Sequence, residues 1–239
     1  MRAIAAAALL LAVICAAAQA DEASDKAFAA DLASAYAQAL PGAPNVVDLL
    51  RDRFPADLAS LAQAAAAPGA SRPALLQQTI ATIRTRDGDA VLKAPPESLR
   101  ALIETDRALI AAAAEGNAPL CPALISGQTP PLPAGPVTLA YAARTYRLLA
   151  AIADGRDHPV AQRRANPDDF QSFAAYARRN GISIAGWAVL APTNLANADP
   201  AAVCSAMMSI EAAVLATDDA LSDRLLADMA ESIIHQGGG

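Results

Sequence analysis

Two carboxylates fall where their helices should be apolar. Asp106 projects into the middle of the arc traced at helical period by Leu99, Leu102, Ile103, Leu109 and Ile110. Glu211 does the same among Val203, Met207, Met208, Val214 and Leu215. An ionised acid on a buried face must find a cation or keep its proton. If the two faces meet, Asp106 and Glu211 can share a proton or hold a hard cation, which is the chemistry an enzyme or metal-dependent protein would need. The plainer expectation is structural. Arg144 and Arg147, at the edge of an apolar face made by Val137, Tyr141, Leu148 and Ile152, are placed to neutralise the acids.

A second chemistry is anion binding. Arg144, Arg147, Arg156, Arg163, Arg164, Arg178 and Arg179 face only four aspartates over residues 144–179, in a chain whose net charge is -6. Guanidinium groups grip carboxylate and phosphate in pairs, so Arg144, Arg147, Arg156, Arg163 and Arg164 are the candidate ligand contacts. After Asn180 seven acids face Arg224 alone, so the basic stretch can equally pack on its own acidic neighbour.

Other signals are sparse. His158 is a distant catalytic candidate in a charged connection, without a serine or cysteine partner at a recognisable spacing, and His235 lies near the chain end. Asp87-Gly88-Asp89 lacks the later ligands of a calcium loop and reads as a turn; Met207-Met208 reads as core. There is no phosphate loop or nucleophile elbow, so no cofactor and no metal site is expected.

The cysteines carry a firmer message. Residues 1–20 have the layout of a cleaved secretory signal: Arg2, an apolar run from Ala3 to Ala18, and Ala18-Gln19-Ala20 as the cleavage site. Ile14 blocks a lipoprotein reading of Cys15. Cleavage discards Cys15 and Arg2, moving the net charge from -6 to -7. Cys121 and Cys204 then remain, and in an oxidising compartment they should form a disulfide. The mature chain is expected to be periplasmic or secreted, with no transmembrane segment. Its acidic balance argues against nucleic acid as a partner. Abundant alanine and arginine with scarce lysine suggest a GC-rich bacterium.

The elements that must position these residues are helices. Amphipathic stretches are expected over 25–40, from Asn45 through the Phe54-Pro55 restart to about 67, and over 73–86, 97–115, 137–153, 167–179, 200–216 and 219–235. Ile182 to Leu190 is apolar all round and should lie centrally. Residues 117–136 hold six prolines and no helical period, so they read as a long loop. The expected organisation is a signal peptide (1–20), an N-terminal helical half (21–118), a proline-rich loop (119–136), a C-terminal helical half (137–236) and a flexible tail (237–239). The fold class is all-α, a bundle of about seven to nine amphipathic helices. These features point to a binding or interaction module of the cell envelope, whose partner is an envelope protein or an anionic ligand. The proline-rich loop and the arginine-rich connection are its expected contact surfaces.

Overall fold

The computed structural model describes residues 24–126, 128, 130–217 and 220–235. Residues 1–20, expected to be a signal peptide and including Cys15, and the expected tail (237–239) lie outside them. Among the described residues there is no strand, and nine helices have seven or more residues. The all-α expectation holds. In chain order the helices are α1 (24–39), α2 (Val46–Arg53), α3 (Pro55–Ala65), α4 (Arg72–Asp87), α5 (Pro96–Asn117), α6 (Leu120–Ile125), α7 (Pro136–Asp157), α8 (Pro167–Arg179), α9 (Pro192–Leu195), α10 (Pro200–Ala216) and α11 (Ala220–His235). Two 3-10 segments, Gly88–Lys93 and Ala185–Leu190, interrupt them. No helix among the described residues is long and apolar enough to cross a membrane.

The chain divides into two compact units. One holds residues 24–41 and Asn45–Thr79; the other holds Gly42–Pro44 and everything from Ile80 onward. In the first unit Asn45 caps α2, accepting from the Val47 amide at 3.0 Å while its own amide donates to Ala33 O at 2.9 Å. Leu50, Phe54 and Leu61 are buried, and Arg72 stands over the Phe28 ring at 5.4 Å.

The second unit is built around α5, which packs on α6, α7, α10 and α11. Its buried face is Leu99, Leu102, Ile103, Asp106, Leu109, Ile110 and Ala113. Both flanks of the proline-rich segment therefore lie in one unit, with α5 and α6 before it and α7 and α10 after it.

The segment itself is not wholly a loop, because α6 occupies Leu120–Ile125. Pro119 is its cap and Pro122 lies in its first turn, where a missing N–H costs no hydrogen bond. Cys121, on α6, meets Cys204, on α10, in a disulfide with a Cα–Cα distance of 5.4 Å. Leu109, Ile110, Leu124, Val137 and Val203 enclose it, with Met207 and Met208 packed alongside.

Helix α7 runs beyond its expected end at Ala153 because Gly155 lets it approach the 3-10 segment Gly88–Lys93. A Cβ at position 155 would lie 2.7 Å from the Ala90 carbonyl carbon, closer still to its oxygen, and 3.0 Å from the Ala94 nitrogen. These are backbone atoms, which cannot rotate away. Gly155→Ala should therefore cost about 2–3 kcal/mol of stability, read as a lower urea midpoint with an unchanged slope. An unchanged midpoint would mean that the two segments part freely.

Ile182 to Leu190 departs furthest from its expected place. None of the residues of the 3-10 segment Ala185–Leu190 is buried, and Ile182, Ile184, Trp187, Val189 and Leu190 are half-buried. Gly181, at φ 72°, and Gly186 interrupt the run, and β-branched Ile182, Ile184 and Val189 disfavour helix, so it cannot form the all-apolar rod that a core position requires. It packs on α9 and α10. On α8 the helical spacing of Phe170, Phe173, Ala174 and Ala177 predicts one inward face; Phe173 and Ala177 are buried, but Phe170 is 48% exposed.

Candidate functional site

The out-of-pattern carboxylates do meet. Asp106, Glu211 and Arg144 come from α5, α10 and α7 and are 3%, 0% and 9% exposed. Arg144 Nη1 donates to Asp106 Oδ1 at 2.9 Å, and its guanidinium stands 5.0 Å from the Tyr141 ring centre. Arg147 does not share this place. It is exposed, one position off the buried face of α7, with its guanidinium 5.9 Å from the Tyr146 ring.

Glu211 is the unusual member. As an ionised acceptor, neither of its oxygens has a donor. Burial pushes its carboxyl well above the usual range, and the Asp106 charge and a hydrogen bond with Asp106 push it the same way, against the weaker pull of Arg107 and Arg144. Glu211 is therefore the carboxyl that holds its proton more tightly than usual, beside the Asp106–Arg144 ion pair. In its protonated form Glu211 adds no charge to the buried Asp106–Arg144 pair. With both carboxyls sealed, no substrate atom reaches them unless α5 and α10 part.

Three arginines at the end of α7 and in the connection to α8 pair with acids of this unit. Arg163 pairs with Asp223 at 3.2 Å, Arg164 with Glu231, and Arg156 with Asp157 at 2.8 Å. The connection is also held by its backbone, since Val160 N–H donates to Lys93 O at 2.8 Å and Arg163 N–H to Leu92 O at 3.2 Å. Where it enters α8, Asn166 accepts from the amides of Asp168 and Asp169, while Asp169 Oδ2 accepts from Asn166 N–H. Arg224 grips the same Asp169 with two bonds, 2.6 and 2.9 Å, and holds its carboxyl below the usual range. One aspartate thus starts α8 and ties it to α11. His158 caps the far end of α7, fourteen residues or roughly 21 Å of helix from Arg144, and its side chain takes no part in the buried cluster.

Apolar side chains also lie at the surface of this unit. Trp187 stacks on Phe173 with ring centres 5.4 Å apart and planes 14° apart, and Phe170 stands one turn before Phe173 on α8. Phe170 is the one exposed large hydrophobic side chain among the described residues. No family model matches this chain, and neither does a curated protein or a solved structure.

The surface placement of residues 182–190 is the feature that hydropathy alone conceals. Its available sequence signal was the pair of glycines bracketing Ile182 to Ala185, which break both periods that a buried element would keep.

Proposed function

We propose that the protein is an exported binding or interaction module of a bacterial cell envelope, periplasmic or secreted, that docks a partner protein through residues 182–190 and the adjoining face of α8. The observation that carries this reading is a tryptophan-centred apolar segment lying on the surface of its unit with an exposed phenylalanine on the neighbouring helix. Patches of this kind mark interaction surfaces, and tryptophan is enriched among the residues that dominate binding energy. Export rests on the layout of residues 1–20, and the buried disulfide suits an oxidising compartment.

This moves the contact surface away from the arginine-rich connection. To hold an external anion, Arg163 and Arg164 would first have to leave Asp223 and Glu231. The reading is tested by placing a photoreactive residue at position 170 or 184 in the chain with its own leader and irradiating intact cells. A discrete protein adduct is expected, lost from the position-184 probe on Phe170→Glu with Val189→Glu and retained on Arg163→Ala with Arg164→Ala. No adduct from either position, or loss only with the arginine pair, would overturn the assignment of this surface.

A further inference from the structure

At another edge of the second unit Asp89, Glu231 and His235 converge. Asp89 comes from the 3-10 segment Gly88–Lys93, while Glu231 and His235 are one turn apart on α11. One potential ligand atom from each lies within 4.8 Å of the others, and this is the one such group of three or more among the described residues. We propose that these three side chains form a binding site for a divalent transition-metal cation of the zinc class.

The donor set selects that class. One imidazole nitrogen and two carboxylate oxygens suit a borderline ion better than calcium or magnesium, which take oxygen ligands. Three protein ligands also leave a coordination position for water or an incoming group. Bonds of about 2.1 Å would place tetrahedral ligands about 3.4 Å apart, so the side chains must close by up to about 1.4 Å from the 4.8 Å limit, within reach of torsional adjustment.

The backbone beneath the ligands is fixed by contacts that the spacing of Glu231 and His235 does not reveal. Gly88, next to Asp89, packs so tightly on Ile234, next to His235, that a Cβ there would meet Ile234 Cγ2 at 2.8 Å. Arg84 donates to the carbonyls of Ile233 at 3.1 Å and Ile234 at 2.7 Å, holding the last turn of α11. Arg164 binds Glu231 through Oε1, leaving Oε2 to ligate, and so orients the carboxylate as the outer partners of metal ligands do. Asp89 also lines a cleft of about 500 Å³ with Arg86, Lys93, Arg156 and Gln162. The site uses none of the residues assigned to partner docking, so either proposal can fail without the other.

The test uses the untagged chain, stripped with chelator and titrated calorimetrically with zinc chloride. One Zn²⁺ per chain is expected with micromolar or tighter affinity. His235→Ala and Asp89→Asn, both at exposed positions, should each weaken binding about tenfold or more without changing the metal-free unfolding midpoint. His158→Ala should leave binding intact. Absence of stoichiometric binding, insensitivity to both ligand substitutions, or loss on His158→Ala would overturn the proposal.

Discussion

Arg144→Leu should lower the stability of the second unit by about 3–5 kcal/mol, because it leaves the buried Asp106 carboxylate without its counter-charge. The measurement is urea unfolding at neutral pH, and a loss below about 1 kcal/mol would show that Asp106 is not paired as described. Replacing Asp106 and Arg144 together by leucine should recover most of the loss, since no uncompensated charge then remains. Glu211→Gln separates the role of the proton from that of shape. The amide is neutral, nearly isosteric and able to donate to Asp106, so stability at low pH should change little.

Its effect should appear as the pH rises. The folded state holds the Glu211 proton more tightly than the unfolded chain does, so this group's stabilising contribution is complete below the ordinary glutamate pKa. It falls as pH climbs from there and is lost once pH passes the raised folded value. One such group gives a slope of about 1.4 kcal/mol per pH unit within that window. Glu211→Gln should flatten the pH profile there. An unchanged slope would mean that Glu211 is ionised in the fold.

Removing the disulfide, by Cys121→Ser with Cys204→Ser or by reduction, should cost about 4–5 kcal/mol on the chain-entropy account of a cross-link spanning 83 residues. The unfolding transition of reduced and oxidised protein checks this. A difference below about 1 kcal/mol would mean that the reduced denatured chain already keeps α6 near α10. Both sulfurs sit in an apolar cluster, so reduction also leaves two buried thiols in contact, a small perturbation of the folded state.

The residues that violated a helical pattern were the legible part of the site. Asp106 and Glu211 were visible because three or four apolar neighbours at fixed spacing define where a side chain must point. The choice between Arg144 and Arg147 was not visible. Both flank the same apolar arc, and only the packing of α7 on α5 brings residue 144 to Asp106. The short helix α6 was hidden because its prolines look like breakers unless their place in the first turn is known. Residues 182–190 were misplaced for a related reason: hydropathy says that a segment would gain by burial, and only the surrounding topology says whether space exists. The Glu231–His235 spacing is readable on α11, but Asp89 joins it through a tertiary contact centred on Gly88.

The span of the disulfide has a consequence for the life of the chain outside its folding. The connection carrying Arg163 and Arg164 is a dibasic, non-helical stretch, the kind of sequence a trypsin-like protease cuts, and it lies between the two cysteines. A single cut there, or anywhere from Pro122 to Val203, leaves both fragments covalently joined, with the ion pairs on either side still within reach of their partners. The nicked molecule would migrate as one species until a reductant separated it into two.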